Sequence, residues 1–146
     1  EGHYEAESMS QTVVPGRNLI FASVLAGIAW SQQAKEVWLG VHAGDHLIYP
    51  DCRPEFIRSM HEAIHHGTDS TVGLRAPFMH MNKAAILKEG LQKEVPYHLT
   101  RTCYSQDVIA CGVCGACVER REAFQLNGVE DPLDYEFRDP DPGRKA

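Results

Sequence analysis

Hydrophobic residues recur at three- and four-residue intervals along this chain and predict three helices. The first covers residues 19–33 and is apolar enough to be buried, with Asn18 placed to cap it. The second begins near residues 51–54, where a proline suits a first helical turn, and it ends at Gly67. The third covers residues 82–93. Each of these helices needs a partner layer on which to bury its apolar side chains.

Two short apolar runs between the helices are typical of buried strands. Residues 37–43 form a continuous run, and residues 72–78 alternate between apolar and polar side chains. The resulting helix–strand–helix–strand–helix order predicts an α/β fold, as part of a doubly wound parallel sheet that is covered on both faces. Residues 1–12 are polar and are expected to form a loop.

Composition divides the chain into three predicted parts. An α/β unit covers residues 1–98, a cysteine-rich segment covers residues 99–126, and an acidic tail covers residues 127–146. The tail is rich in proline and aspartate, which is typical of a solvated segment. The chain begins at Glu1 without an opening apolar strand, so we expect further sequence on its N-terminal side.

Polar residues follow both predicted strands. Gly44, Asp45 and His46 come after the first strand, and residues 80–83 come after the second. Ligands of parallel sheets bind beyond the carboxyl ends of the strands, and these ends share one edge. The sequence therefore predicts a binding site at this edge.

Four cysteines lie within fifteen residues and have the spacing of a metal site. They are Cys103, Cys111, Cys114 and Cys117. Two-residue gaps allow neighbouring sulfurs to face one point, and four thiolates can surround one tetrahedral ion. A structural zinc is the leading interpretation. An iron–sulfur cluster is the second interpretation. It ranks below zinc, because the ferredoxin pattern would require a cysteine where Arg121 stands. Two disulfides are the third, and nothing secretory in the sequence supports them.

Bulk properties exclude several classes of protein. The chain has 146 residues, a net charge of −6 and 43% hydrophobic residues. This acidic balance argues against a nucleic-acid binder, which needs a basic face. No apolar stretch is long enough to span a bilayer. Metal-type cysteines, together with the odd Cys52, favour the reducing cytoplasm.

The string His61-Glu62-Ala63-Ile64-His65 matches the H-E-x-x-H pattern of zinc proteases. The third ligand of the longer motif is missing, and the string lies in the middle of a predicted helix, away from the predicted binding edge. We therefore interpret this helix as structural.

One ordered set of residues resembles a known family. The set comprises Val14-Pro15-Gly16-Arg17-Asn18, then Gly44-Asp45, then Tyr49-Pro50-Asp51-Cys52-Arg53, then Lys83 and the four cysteines. It is similar to the C-terminal half of the 7-cyano-7-deazaguanine synthases, zinc-containing enzymes of the queuosine pathway, and covers roughly residues 12–125. The resemblance implies an adenine-nucleotide alpha-hydrolase-like sheet. It also implies ATP-dependent conversion of 7-carboxy-7-deazaguanine to the nitrile, with ammonia as nitrogen donor and ATP bound with Mg²⁺.

The resemblance also implies roles for single residues. Those expected to line the substrate pocket are Asp45, Tyr49, Asp51 and Arg53. Those expected near nucleotide or substrate are Arg17, Asn18 and Lys83, and the four cysteines are expected to hold zinc. We take Arg53 and Lys83 as catalytic. The family's Ser-Gly-Gly-x-Asp-Ser phosphate loop does not occur in this sequence. Residues 67–71 echo it faintly, but they lack paired glycines and precede a strand instead of following one.

The chemistry of these side chains suits the implied reaction. Arg53 could hold a substrate carboxylate in a bidentate pair, and Lys83 could balance phosphate charge during adenylation. Asp45 or Asp51 could accept the N–H groups of a deazaguanine, although either could instead be a turn or helix cap. Cys52 could be a nucleophile whose pKa is lowered by a helix N-terminus and Arg53, or simply a packed side chain.

Without its phosphate loop, the chain is expected to be inactive alone. Its expected partners are the deazaguanine, ATP and ammonia, with a separate N-terminal half or a second copy of the chain as a protein partner. The alternative is a zinc-containing binding or interaction module without catalysis.

Overall fold

The computed structural model describes residues 12–105 and 107–137, which belong to two compact units. We call residues 13–82 the sheet unit and residues 83–137 the cysteine unit. The predicted loop over residues 1–12 lies outside the described residues except for Thr12. The division of the chain at residues 98 and 126 stays a prediction.

The sheet unit contains two helices and a two-stranded parallel sheet. In chain order these are α1 (Arg17–Ser31), β1 (Glu36–Trp38), α2 (Pro54–Gly67) and β2 (Gly73–Arg75). The strands pair in parallel with Val37 opposite Leu74, and both side chains are buried. Helix α1 packs on β1 and helix α2 packs on β2. The predicted α/β fold with a parallel sheet is confirmed.

Both strands are shorter than predicted. β1 ends at Trp38 instead of residue 43, although Leu39 still donates one hydrogen bond to the Arg75 carbonyl. β2 ends at Arg75 instead of residue 78, and Pro77 follows shortly after it. Proline has no N–H to donate, so the ladder cannot extend through it. The paired length of β1 is limited in turn by that of β2.

Helix α1 forms where predicted, but the prediction of its buried face is wrong. The buried residues are Ala22, Ala26 and Ala29. The large apolar residues that indicated the helix are about half exposed, and these are Leu19, Ile20, Val24, Leu25 and Ile28. Small side chains permit a close approach to β1, so the alanines occupy the contact. Although α1 is apolar, no helix in the described part of the chain has both the length and the hydropathy needed to span a bilayer.

The cysteine unit is built on two helices, α3 (Lys83–Gln92) and α4 (Gly115–Leu126). Its small core contains Leu87, Ala123 and Phe124, against which Tyr97 packs edge-on with ring centroids 5.4 Å apart. Helix α3 matches the prediction within one residue at each end. Helix α4 was not predicted. Its first residues are glycine, alanine and cysteine, so the helical spacing of its larger apolar residues is short and was not recognised.

A buried ion pair joins α4 to the segment that follows it. The Arg120 guanidinium donates to both carboxylate oxygens of Asp131 at 2.7 and 2.9 Å, and both side chains are under 10% exposed. Arg120 also donates to the carbonyls of Thr100 and Tyr97. Asp131, which lies in the predicted solvated tail, is therefore a buried ion-pair partner. The remaining tail residues, from 138 onward, lie outside the described residues.

Arg120→Met should destabilise the chain strongly. The substitution leaves Asp131 as a buried carboxylate without its cation, which typically costs about 3–5 kcal/mol. Urea denaturation followed by circular dichroism would measure the free energy of unfolding. The matched control is Lys88→Met on an exposed position of α3, which should change it by no more than about 0.5 kcal/mol. Equal stability of the two variants would show that the pair does not hold the unit together.

Candidate functional site

The four predicted cysteines converge in the cysteine unit. The Sγ atoms of Cys103, Cys111, Cys114 and Cys117 all lie within 4.8 Å of one another. The Cys103–Cys111 and Cys111–Cys117 sulfurs are 3.6 and 4.0 Å apart. Tetrahedral zinc–thiolate sites have sulfurs about 3.8 Å apart, as metal–sulfur bonds of about 2.3 Å require. The cluster could therefore hold one metal ion.

Local backbone geometry brings the sulfurs together. Gly112 has a positive φ of 80°, and a Cβ atom there would overlap the backbone carbonyl of Phe137. Only glycine fits such a turn without strain. Cys114 is the N-cap residue of α4, and Cys117 lies in its first turn with no solvent exposure. Thiolates are favoured at a helix N-terminus, because the free N–H groups there carry partial positive charge.

The electrostatics of the cluster suit thiolate ligands. Burial raises the pKa of Cys103, but N–H groups of Cys111 and Ser105 donate to its sulfur and bring the pKa down to about 7. Burial raises the pKa of Cys117. Such a thiol loses its proton when a cation takes the proton's place, so metal binding and deprotonation are linked.

The structure does not support the disulfide interpretation. All five cysteines of the chain lie among the described residues, and all five are free thiols. The shortest sulfur separation given above, 3.6 Å, is well beyond the length of a disulfide bond, about 2.05 Å.

The H-E-x-x-H string does not form a metal site. Nδ1 of His61 accepts a hydrogen bond from the Leu74 N–H, so the neutral ring carries its proton on Nε2. Neither nitrogen then offers a free lone pair to a metal. The rings of His61 and His65 stack, with centroids 5.7 Å apart. Among the residues that the structure describes, the four cysteines are the group that could hold a metal. The structural interpretation of this helix is supported.

Two loops meet at the predicted binding edge of the sheet unit. The Ala43 N–H donates to the Met81 carbonyl at 2.9 Å, which joins the loop after β1 to the loop after β2. Asp45 accepts the His42 N–H at 3.1 Å, while Nδ1 of His42 accepts the Gly44 N–H at 3.1 Å. This reciprocal pair is a capping box that fixes the turn holding Asp45.

Asn18 and Asp51 are brought together although 33 residues separate them. The Asp51 carboxylate accepts the Asn18 N–H at 2.8 Å, and the Asn18 amide donates to the Asp51 carbonyl at 3.2 Å. The expectation that Asn18 caps α1 is wrong. Gly16 is the N-cap, with φ of 67° and no side-chain bond, and Asp51 satisfies an N–H of the first turn from outside. Asp51 is thus a helix cap, but for α1 and not for the helix that follows it.

The remaining predicted residues are held in different ways. The Arg17 guanidinium lies 6.0 Å from the centroid of the Tyr49 ring, and the Tyr49 side chain is buried. Nε of Arg53 donates to the His46 carbonyl at 2.9 Å. Lys83 belongs to the cysteine unit, where its ammonium pairs with Glu119 of α4. The sheet unit thus joins Asn18 to Asp51 by hydrogen bonds and places Arg17 over Tyr49. The Tyr49 N–H in turn donates to the Asp45 carbonyl at 2.9 Å.

Cys52 does not have the environment expected of a nucleophile. Burial raises its pKa, and the carboxylates of Asp45 and Asp51 raise it further, to about 12. The amide of Asn18 donates to the Cys52 sulfur at 3.2 Å but does not offset these effects. The expectation that Arg53 and a helix N-terminus lower this pKa is wrong, because burial of the thiol and the charges of the two carboxylates raise it.

Sequence reasoning missed several residues that shape these sites. His42 closes the capping box, and Nε2 of His46 is buried without a hydrogen-bond partner in the described part of the chain. Arg120 braces the cysteine unit. The sequence did place His46 at the predicted binding edge, because it follows the first strand, but it did not predict a role for its side chain. The partners of His42 and Arg120 depend on loop geometry that no spacing rule predicts.

The sequence of this chain is similar to those of known proteins over most of its length. The family model described as queuosine biosynthesis protein QueC matches residues 1–128. The 7-cyano-7-deazaguanine synthases of Marinobacter nauticus and Alteromonas mediterranea are 53% and 51% identical over 136 residues. The 7-cyano-7-deazaguanine synthase 2 of Colwellia psychrerythraea is 49% identical over 135 residues.

These alignments cover 92% or 93% of this chain but only 62% of each relative. The chain thus spans less than two thirds of the length of the curated relatives that it matches. The family model covers most of the chain, and about half of the aligned residues are identical. This chain therefore belongs to the QueC family of queuosine biosynthesis proteins.

Proposed function

We propose that this chain is part of an ATP-dependent ligase that makes 7-cyano-7-deazaguanine from 7-carboxy-7-deazaguanine and ammonia. The observation that carries the proposal is the family membership of the chain, whose relatives bear that enzyme's name. It is supported by the contacts of Asn18 with Asp51 and of Arg17 with Tyr49. The sequence holds no phosphate loop. Turnover therefore requires the portion of the family protein that this chain does not match.

The proposed setting of the sheet unit is a doubly wound, adenine-nucleotide alpha-hydrolase-like domain of a cytoplasmic enzyme. Its two parallel strands and their helices fit one side of such a sheet. Ligands of that arrangement lie beyond the carboxyl ends of the strands, where the loops joined by the Ala43–Met81 hydrogen bond meet. ATP with Mg²⁺ would reach this edge from the portion that carries the phosphate loop.

Arg53 and the two aspartates have complementary proposed roles. The substrate carboxylate must be activated by adenylation, because hydroxide and oxide are poor leaving groups. Nε of Arg53 is held by the His46 carbonyl, which orients the guanidinium for a bidentate pair with that carboxylate. Carboxylate oxygens have two lone pairs each, so Asp45 and Asp51 can hold their backbone N–H groups and still accept N–H donors of the deazaguanine.

His46 and Lys83 have separate proposed roles. The buried Nε2 atom of His46 would be satisfied by a ligand that reaches the edge, since buried polar atoms are rarely left without a partner. Lys83 is proposed to balance phosphate charge during adenylation, for which it would exchange its bond to Glu119 for one to phosphate.

The proposed metal of the four-cysteine cluster is zinc in a structural role. Four sulfurs with no fifth donor form a closed site, which leaves no position for a reacting molecule. When bound, the ion would supply charge compensation and a cross-link between the residues around Cys103 and the start of α4. The alternative function, a binding module without catalysis, would keep this metal and lose the reaction.

The purified chain should contain about one zinc per molecule, by elemental analysis. Removing zinc with a strong chelator should unfold the cysteine unit, because ligation and folding are coupled in structural sites. Cys114→Ser should have the same effect. Cys52→Ser is the matched control and should keep both zinc and fold. A protein without zinc, or a brown protein that contains iron and sulfide, would contradict the assignment.

Cys52 should react slowly with iodoacetamide in the zinc-loaded chain. A pKa of about 12 leaves only about one thiol in ten thousand ionised at pH 8, and the thiolate is the reactive form. Labelling, located by peptide mass spectrometry, should rise about tenfold per pH unit from pH 8 to 10. Asp45→Asn should accelerate it at fixed pH, since one negative charge is removed. Fast labelling at pH 7 would instead identify a reactive nucleophile.

Arg53 is exposed in this structure. If the bound substrate desolvates the charge pair, Arg53→Ala should weaken binding of 7-carboxy-7-deazaguanine by about 2–5 kcal/mol. Affinity for the nitrile product, which lacks the charge, should hardly change. Calorimetry with both compounds would measure this, and Arg58→Ala, at an exposed position of α2, is the control.

Addition of the phosphate-loop portion of a relative should give ATP- and ammonia-dependent nitrile, detected by mass spectrometry. Equal affinity of wild type and Arg53→Ala for the carboxylate would remove Arg53 from its role. Absence of nitrile from a folded, zinc-loaded mixture would favour the binding module.

A further inference from the structure

A cavity of about 330 Å³ lies in the sheet unit, between the first turns of α2 and the carboxyl end of β2. None of the residues assigned above to the candidate site lines it. Its volume falls within the range of small-molecule sites, about 300–1,000 Å³. It also borders the predicted binding edge, because Met79 and His80 in its wall directly precede Met81, whose carbonyl accepts the Ala43 N–H.

Nitrogen-bearing side chains form the polar part of the cavity wall. They are Arg58 and His61 of α2, Arg75 at the end of β2, and His80 in the loop that follows. No acidic side chain among the described residues lines the cavity. The chain as a whole has a net charge of −6, so this local excess of cationic and donor groups is opposite in sign to the whole molecule. A concave patch of this kind attracts an anion.

Most of the donor groups in the wall are unused. Nε of Arg75 donates to the Glu36 carboxylate at 2.8 Å, which holds the guanidinium in place. The other N–H donors of Arg75 have no partner in the described part of the chain. Arg58 and His80 make no hydrogen bond or ion pair with any described residue. An anion in the cavity would supply the missing acceptors.

His61, from the H-E-x-x-H string, presents a fixed donor. Its Nδ1 accepts the Leu74 N–H at 3.1 Å, so Nε2 carries the proton. The ring is held between Gly73, against which it packs, and His65, on which it stacks. No described residue accepts the Nε2 proton. A ring held in this way cannot bind a metal, but it can donate to an oxyanion.

The start of α2 and three apolar side chains complete the wall. Pro54, the first residue of α2, lines the cavity, and the N–H groups in the first turn of a helix carry partial positive charge. Ile57 and Leu74 are 5% and 4% exposed, and Met79 lies beside them in the wall. An apolar area next to a set of donors suits a ligand that has a charged group on an organic body.

We propose that this cavity binds an oxyanion of the phosphate type, as inorganic phosphate or as the phosphate of a small organic molecule. The donors come from α2, β2 and the loop after β2, so they surround the cavity instead of lying in one plane. A phosphate accepts hydrogen bonds in several directions and carries up to two negative charges, whereas a carboxylate has two oxygens in one plane. The site is separate from the candidate substrate site and does not require the proposed reaction.

Nuclear magnetic resonance of the imidazole nitrogens would test the proposal on the full, zinc-loaded chain. Inorganic phosphate and phenyl phosphate would each be titrated at constant pH and ionic strength. We expect saturable shifts of the His61 and His80 signals, with His98 of the cysteine unit as an internal control that does not respond. Tighter binding of phenyl phosphate would identify an organic phosphate as the occupant, and equal binding would identify inorganic phosphate.

Arg58→Ala should weaken phosphate binding at least fivefold, because it removes an uncompensated cation from the wall. Lys88→Ala is the matched control, since it removes the same charge at an exposed position of α3 and should change the affinity less than twofold. Arg53→Ala should likewise leave phosphate binding unchanged. Arg58→Ala should leave the affinity for 7-carboxy-7-deazaguanine unchanged, so the two arginines report separate sites.

Three results would overturn the proposal. The first is the absence of a saturable shift of His61 and His80 with either phosphate. The second is an equal loss of affinity in Arg58→Ala and Lys88→Ala, which would indicate general attraction and not a site. The third is a shift of His61 by 7-carboxy-7-deazaguanine but not by phosphate, which would assign the cavity to the substrate. None of these readouts uses ATP or ammonia, so they do not depend on whether nitrile forms.

Discussion

The convergence of four sulfurs is the constraint on which the cysteine unit depends. Sulfurs within 4.8 Å of one another cannot all be thiolates unless a cation lies among them, because like charges repel strongly at that distance. Three features of the surrounding structure hold the four sulfurs close together. Gly112 supplies the tight turn, the start of α4 supplies backbone N–H groups, and Arg120 and Asp131 fix the following segment. The core of Leu87, Ala123 and Phe124 is too small to order so many loop residues by burial alone.

In the sheet unit, the same side chains serve the fold and the candidate site. Asp45 closes a capping box and Asp51 caps α1, so each carboxylate is fixed in position by a backbone N–H. Groups held in this way lose little freedom when a ligand binds, which is the advantage of a preorganised site. Burial and the two acids together suppress ionisation of Cys52, so the thiol beside these aspartates stays inert. Structural and ligand roles for these aspartates are therefore compatible.

The sequence predicted those features that depend on local spacing. Cysteine spacing located the four-cysteine cluster that could hold a metal, and apolar periodicity located α1, α2 and α3. The ordered set from Arg17 to Arg53 indicated the family. Features that depend on distant pairing were missed or misassigned. The cap of α1 comes from Asp51, 33 residues away, and the partner of Arg120 lies in a segment with the composition of a tail. Strand lengths were overestimated, because apolar runs continue past the point where Pro77 ends the ladder.

The large apolar side chains of α1 were expected to be buried, and their exposure has a physical reason. Periodicity weights large side chains, but a helix that approaches a sheet closely does so through small ones, and here the alanines make the contact. The large residues then remain for a second layer. A two-stranded sheet is marginally stable by itself and requires further strands or packed helices. Within the residues that the structure describes, the sheet has two strands and the large side chains on the outer face of α1 stay about half exposed.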